Sequence, residues 1–130
     1  MLYKSLTLTA LALLITPSLG QLSTVCNDAG TTGSCASFIT TFCTSIASEV
    51  IAPGDAASRC FTASTANLKC DFTAVNTLTV KNSIDVSHCE SALTSVGAQC
   101  PMGGFGQFSG ATFQFFGDPN TGVCGPSCGN

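Results

Sequence analysis

The side chains able to perform acid–base chemistry are few in this sequence. His88 is the only imidazole, with Asp85 three residues before it and Glu90 two residues after it. A general base must be held within hydrogen-bond reach and oriented by a third group, but a helix-capping Asp beside an exposed His is the commoner meaning of this spacing. Paired carboxylates such as Glu49 and Glu90 could in principle hydrolyse a glycosidic bond, yet a short chain without Trp offers a poor cleft. We expect no catalytic residue and no enzymatic activity.

Nine cysteines form the second set of reactive side chains. No Cys-x-x-Cys motif is present, which argues against thioredoxin-like chemistry, and a single His argues against a Cys/His zinc site, so we expect no metal and no cofactor. In an oxidising compartment eight cysteines form four disulfides, and the ninth is either a buried free thiol or a partner for an intermolecular bond. Spacing decides neither the pairing nor the odd residue. The candidates are Cys26, Cys35, Cys43, Cys60, Cys70, Cys89, Cys100, Cys124 and Cys128.

A first helix is predicted where apolar residues recur at spacings of three and four. Ser34 or Ser37 would cap its start, and Pro53 with Gly54 would end it. Cys43 falls on the buried face, so a disulfide there would attach this helix to the core. The residues of that face are Phe38, Ile39, Phe42, Cys43, Ile46 and Val50.

A second helix is predicted over residues 85–97. Ser83 or Asp85 would cap its start, because acidic and hydroxyl side chains there satisfy free backbone N–H groups. Gly97 would end it in the left-handed conformation. Its buried face comprises Val86, Cys89, Leu93 and Val96.

Alternating side chains and Thr/Val-rich composition predict the strands. Residues 21–34 are expected to form an extended arm or short strand held by Cys26, and two strands are expected near 58–63 and 69–75, with Asn67 in the turn between them. The fold class predicted from these elements is α+β, with an antiparallel sheet and at least two helices.

The last third of the chain is rich in Gly and Phe. Residues 111–116 predict a strand with Phe113 and Phe115 on one face and Phe116 on the other, and residues 118–122 carry a strong turn signal. The segment holds a cluster of five Phe, at positions 105, 108, 113, 115 and 116. The cluster is expected in the core, and the alternative is that one exposed ring (Phe105, Phe108 or Phe116) forms a contact surface. Tight turns or bulges are expected at Gly103, Gly104, Gly106 and Gly110.

Length and charge limit the function classes. A chain of 130 residues holds one domain, and a net charge of −3 with four basic residues argues against nucleic acid and anionic membranes as partners. Residues 1–20 are predicted to be a signal peptide, because Lys4 precedes an apolar run over 6–15 and Gly20 offers a small residue for cleavage. A short core helix is the alternative for this segment. The secreted domain would then span 21–130 and insert into no membrane.

Several features of the whole chain form a recognisable set. They are the precursor length, the leader ending before Gln21 and Leu22, the cysteine layout from Cys26 to Cys128, and the Gly/Phe-rich segments 100–106 and 117–120. In these features the chain resembles a small family of secreted glycan-binding proteins from basidiomycete mushrooms. This resemblance implies a single disulfide-stapled αβα-sandwich domain, lectin activity toward fucosylated, N-acetylgalactosamine-containing glycans, a homodimer, and toxicity to cells that display those glycans.

Sugar contacts in such a protein would use Phe, backbone groups and short polar side chains, because the only Tyr lies in the predicted leader. Asp118 and Asn120 could instead simply build a turn, and Asp55 is a weaker second candidate. The candidate glycan-binding residues are Asp118, Asn120, Thr121, Gln107 and Gln114. We therefore expect a non-enzymatic extracellular lectin that binds cell-surface glycans or glycoproteins. A secreted toxin, effector or inhibitor acting on a protein or membrane target is the alternative.

Overall fold

The computed structural model of this chain describes residues 20–65, 67–110 and 113–126. The predicted signal peptide therefore lies almost wholly outside the described residues. In these described residues two helices and five strands follow one another, with a short 3-10 helix at Ala36–Phe38 leading into the first helix. They are β1 (Leu22–Cys26), α1 (Ile39–Ser45), β2 (Ala56–Thr62), β3 (Leu68–Asn76), α2 (Val86–Gln99), β4 (Gly104–Phe108) and β5 (Phe113–Thr121).

The five strands form one antiparallel sheet in the order β1-β4-β5-β3-β2. Side chains alternate between its faces, so residues in register on neighbouring strands share a face. On one side, here called the covered face, β3 and β5 place eight buried residues. These are Cys70, Phe72, Ala74, Asn76, Phe113, Phe115, Gly117 and Pro119.

Both helices pack against the covered face. The rings of Phe42 in α1 and Phe72 in β3 stack with centroids 5.2 Å apart. A Cβ built at Gly106 would lie 2.9 Å from the carbonyl oxygen of Ala92, so glycine permits the close approach of α2 to β4. The α+β class with an antiparallel sheet and two helices is confirmed. Within the described residues the protein has two layers, whereas an αβα-sandwich has helices on both faces of its sheet.

Helix α1 is shorter than predicted. It ends at Ser45, well before Pro53 and Gly54, and at this end Ser45 Oγ donates to the carbonyl oxygen of Phe42 at 2.7 Å. Hydroxyl groups that bond back to the helix compete with its backbone ladder. Val50 lies beyond the helix and is 68% exposed, so its predicted place on the buried face was wrong.

Capping at the start of α1 also differs from the prediction. The N-cap residue is Phe38, with no side-chain hydrogen bond, so neither Ser34 nor Ser37 caps this helix. The chain instead enters α1 through the 3-10 turn, in which the Phe38 N–H donates to the carbonyl oxygen of Cys35 at 3.1 Å. The tightened turn satisfies backbone groups without a side-chain cap.

Helix α2 confirms its predicted start. Asp85 is the N-cap, and its carboxylate accepts the backbone N–H of His88 at 2.9 Å. The predicted end at Gly97 was wrong, since the helix continues to Gln99 and the Cys100 N–H still donates to the Val96 carbonyl oxygen at 2.8 Å.

Four disulfides use every cysteine among the described residues. Cys43–Cys89 joins α1 to α2, and Cys43 is fully buried, which confirms its predicted role. Each bridge stabilises the fold by about 2–4 kcal/mol. The ninth candidate, Cys128, lies outside the described residues. The other bridges are Cys26–Cys100, Cys35–Cys70 and Cys60–Cys124.

The turn predicted at residues 118–122 was wrong, because 118–121 form the end of β5. Here the residues pair with Leu68 to Asp71 of β3, and this ladder overrides the local turn preference. Pro119 is tolerated because β4 stops pairing at Gly117, which leaves this part of β5 with β3 as its neighbour. Gly104 and Gly106, where tight turns or bulges were expected, lie in strand β4.

Candidate functional site

The face of the sheet opposite the helices, here called the open face, carries a group of partly exposed polar, charged and aromatic side chains. Strand register places four of the five predicted binding residues on it. Thr121 is the exception, since it pairs with Leu68 and its hydroxyl lies 3.1 Å from that of Thr31. The residues that define the open face here are Ser23, Val25, Ser58, Lys69, Asp71, Thr73, Phe105, Gln107, Gln114, Phe116, Asp118 and Asn120.

A pair of glutamines lies at one end of the open face. Gln114 Nε2 donates to Gln107 Oε1 at 3.1 Å, and Gln107 Nε2 lies 3.4 Å from Thr77 Oγ1. Ser23 is directly opposite Gln107 across the β1–β4 ladder. Ser23, Gln107 and Gln114 line a groove of about 380 Å³. The groove offers amide donors and acceptors beside hydroxyl groups, which suits a ligand rich in hydroxyls.

An apolar stripe crosses the middle of the open face. Phe105 and Phe116 are opposite each other on β4 and β5, with ring centroids 5.1 Å apart, and both are half-buried. Val25 continues the stripe onto β1 and is 47% exposed. The Phe cluster predicted from the sequence therefore divides, because Phe113 and Phe115 lie in the core. The two rings on the open face give an apolar surface that water reaches.

Two carboxylates flank the stripe on its other side. Asp118 lies opposite Asp71 across the β3–β5 ladder, and its Oδ1 accepts a hydrogen bond from Asn27 Nδ2 at 2.7 Å. Burial raises the pKa of Asp118, and the Asp71 charge adds to this rise, while the Asn27 hydrogen bond opposes it. Asp71 accepts from Asn120 Nδ2 at 2.7 Å and lies 3.1 Å from Lys69 Nζ.

This arrangement suits an amphipathic polyol. An apolar ring face can lie on the Phe105–Phe116 pair, while hydroxyl groups at its edge reach amides on one side and carboxylates on the other. Hydrogen bonds to carboxylates are charge-assisted and strong. The open face therefore combines the two kinds of contact that a sugar ring requires.

The sequence reasoning missed Asp71 and Lys69, and it did not place the two rings side by side. Alternation in the predicted strand 69–75 puts Asp71 on the face opposite Cys70 and Phe72, which was a usable signal. No signal in the sequence indicates that β3 pairs with β5.

The candidate acid–base residues have other roles. The His88 ring stacks on Phe108 with centroids 4.5 Å apart. The Asp85 carboxylate accepts hydrogen bonds from the Ser87 hydroxyl at 2.6 Å and from the His88 backbone N–H, and these bonds lower its pKa. Glu49 forms an ion pair with Arg59. These contacts are those of structural side chains.

Asp55, the weaker candidate, lies in the turn before β2, where its carbonyl oxygen accepts from the Asn76 N–H at 3.0 Å. Its position is outside the defined residues of the open face. Among the described residues, no three His, Cys, Asp or Glu side chains are grouped so as to hold a metal ion. No helix in the described part of the chain is long and apolar enough to cross a membrane.

Comparison with known proteins relates this chain to a protein family and to a fungal relative. Residues 34–124 match the family model described as glycan binding domain Y3. A relative from Coprinus comatus, described as antiviral protein CAP, is 37% identical over 93 residues, which are 69% of this chain and 90% of the relative. The matched range of the family model includes α1, α2 and strands β2 to β5, and so most of the open face.

Proposed function

This chain belongs to the glycan binding domain Y3 family, and we propose that it is a secreted, non-enzymatic fungal lectin whose open face binds the glycan. The proposed ligands are fucosylated, N-acetylgalactosamine-containing glycans, and the proposed consequence is toxicity to cells that display them. The observation that carries the site is that Gln107, Gln114, Asp118 and Asn120 share one face with a half-buried phenyl pair.

The chemistry of these sugars fits the apolar stripe. Fucose carries a methyl group, and N-acetylgalactosamine carries an acetamide methyl, so both offer apolar contacts to Phe105, Phe116 and Val25. Their hydroxyl and amide groups would hydrogen-bond to the glutamine pair on one side and to Asp118 with Asn120 on the other. This mode replaces the Trp or Tyr platform that the secreted chain lacks.

The proposed homodimer would raise the avidity of weak single sites. Strands β1 and β2 are the two edges of the sheet, and unpaired N–H and C=O groups along an edge invite a second copy. Two open faces in one dimer would bind a glycan-dense surface far more tightly than one. Engagement of glycoproteins by such a dimer would also account for an antiviral activity like the one in the name of the Coprinus comatus relative.

A glycan array with the secreted, oxidised protein tests this proposal. We expect binding to fucosylated N-acetylgalactosamine glycans, and at least a tenfold loss for Phe116→Ala. Full burial of a phenyl ring is worth about 1.5–3 kcal/mol, and a tenfold loss of affinity corresponds to about 1.4 kcal/mol. Phe38→Ala is the matched control. Phe38 is also half-buried and stacks on Phe61 with centroids 5.1 Å apart, but it lies on the covered side.

No binding on a broad array would overturn the lectin assignment, and equal losses for the two Phe variants would overturn the site. Toxicity is tested by competition. Excess free glycan should protect cells if killing proceeds through sugar binding, whereas unaffected toxicity would favour the alternative of a toxin acting on a protein or membrane target. Sedimentation of the secreted protein tests the dimer.

A further inference from the structure

We propose that the open face selects uncharged glycans and rejects glycans that carry sialic acid or sulfate, with Asp71 and Asp118 as the specificity-determining residues. This inference rests on the proposed function, because it assumes that the open face binds sugar. It concerns which substituents the site tolerates around a bound sugar.

The fold keeps two of the three basic side chains in the described residues away from this face. Arg59 lies opposite Phe72 in the β2–β3 register, so it belongs to the covered side, where it pairs with Glu49. Lys81 lies in the loop between β3 and α2. Lys69 is the one basic side chain on the open face as defined here, and its Nζ is 3.1 Å from Asp71 Oδ2.

The two carboxylates are placed where a bound sugar would meet them. Asp71 and Asp118 are directly opposite each other, and the adjacent register pair on the same face is Thr73 with Phe116. Cross-strand neighbours on one face are about 5 Å apart at Cβ, and next neighbours are about 7–8 Å apart. Substituents of a sugar stacked on Phe116 therefore extend to the carboxylates.

Compensation of the negative charge is incomplete. Lys69 and Asn120 both contact Asp71, whereas Asp118 is held by the neutral amide of Asn27 at 2.7 Å. Burial is the main cause that raises the pKa of Asp118, and repulsion from the Asp71 carboxylate raises it further, while hydrogen bonds from Asn27 and the Gly104 backbone oppose the rise. A ligand carboxylate or sulfate placed there adds a third negative charge, while a hydroxyl donates a hydrogen bond.

The experiment compares one neutral glycan that the protein binds with the same glycan after sialylation. We expect the wild-type protein to bind the sialylated form at least about tenfold more weakly, since like charges a few ångströms apart in a half-buried site repel each other strongly. In the Asp71→Asn, Asp118→Asn double variant, the ratio of the two affinities should fall to within about threefold. Asp55→Asn is the matched control, because it removes the same charge from outside the open face and should leave the ratio unchanged.

The salt dependence of the affinity ratio provides a second test, which uses the wild-type protein alone. Raising the ionic strength from about 0.1 M to about 1 M shortens the screening length from about 10 Å to about 3 Å, so the wild-type ratio should shrink. This arm decides the question if the double variant fails to fold or loses all binding.

The outcomes separate this inference from the function it rests on. Failure to bind any glycan overturns the lectin assignment itself. Equal binding of the neutral and sialylated glycans overturns the selectivity while leaving the lectin intact. Full discrimination by a folded double variant, or discrimination that high salt does not reduce, assigns the selectivity to shape and overturns the role of Asp71 and Asp118.

Discussion

The two faces of the sheet are built by the same strands and differ in nearly every other respect. On the covered face Phe72, Ala74 and Phe115 are buried at 0–2% exposure, and the helices above them are joined by the Cys43–Cys89 bridge. The residues that alternate with these along β3 and β5 lie on the open face and are half-buried, and they include polar side chains and the Phe116 ring. The difference indicates that the covered face holds the fold, which leaves the open face free for binding.

The largest expected change in the free energy of unfolding is for Phe115, whose neighbour Phe116 lies on the opposite face of the sheet and serves as the comparison. Phe115→Ala should destabilise the protein by about 3–5 kcal/mol, because it leaves a cavity in a closely packed core. Phe116→Ala should cost less than half as much, since its ring is already half in water. Urea unfolding with disulfides intact measures both. Similar costs for the two variants would break the distinction between a structural and a functional face.

A smaller effect is expected at the start of α2, on the covered side. Asp85→Ala should cost about 1 kcal/mol at neutral pH, because the cap on the His88 N–H is lost. Since the folded-state pKa of Asp85 lies below the ordinary 3.8, its contribution is present above that value and fades as the pH falls through the lower folded pKa. Denaturant midpoints at neutral and strongly acidic pH measure this.

Ser83→Ala is the control for the Asp85 variant. Ser83 was the other cap candidate, but α2 uses Asp85 as its N-cap, so this variant should change the free energy of unfolding by less than about 0.5 kcal/mol. A larger cost for Ser83→Ala than for Asp85→Ala would contradict the assigned cap.

The smallest expected effect has the opposite pH dependence and belongs to the open face. Because the pKa of Asp118 is raised above 3.8, its contribution is complete below that value and is lost as the pH rises through the folded pKa. Asp118→Asn should therefore be slightly more stable than wild type at neutral pH, by less than about 1 kcal/mol at a half-exposed site. The advantage should vanish in acid. If the stability of Asp118→Asn relative to wild type instead increased as the pH falls, the ionised Asp118 carboxylate would be stabilising the fold, as Asp85 does.

The elements that the sequence predicted well are those set by local rules. The start of α2 was readable from Asp85, and β3 from its alternation, because caps and strand period depend on adjacent residues. The errors have non-local causes. Gly104 and Gly106 suggested turns, yet they lie in β4, where added Cβ atoms would meet Val25 and Ala92.

The candidate site was predicted in part for the same reason. Gln107, Gln114, Asp118 and Asn120 were chosen as a cluster in sequence, and the structure places them on one face. They do not come together through the predicted turn, because residues 118–121 form a strand that pairs with β3. Asp71 was missed because it lies 49 residues from Asn120, the residue whose side chain donates to it.

By itself the sequence determined a disulfide-stapled α+β chain, most helix and strand positions, and the polar residues worth examining, because composition, periodicity and capping act over a few residues. The strand order β1-β4-β5-β3-β2, the four disulfide pairs and the division of five phenylalanines between core and open face were decided by tertiary structure alone. These depend on which distant segments bury their apolar faces together. Contacts of that kind have no local signature in the chain.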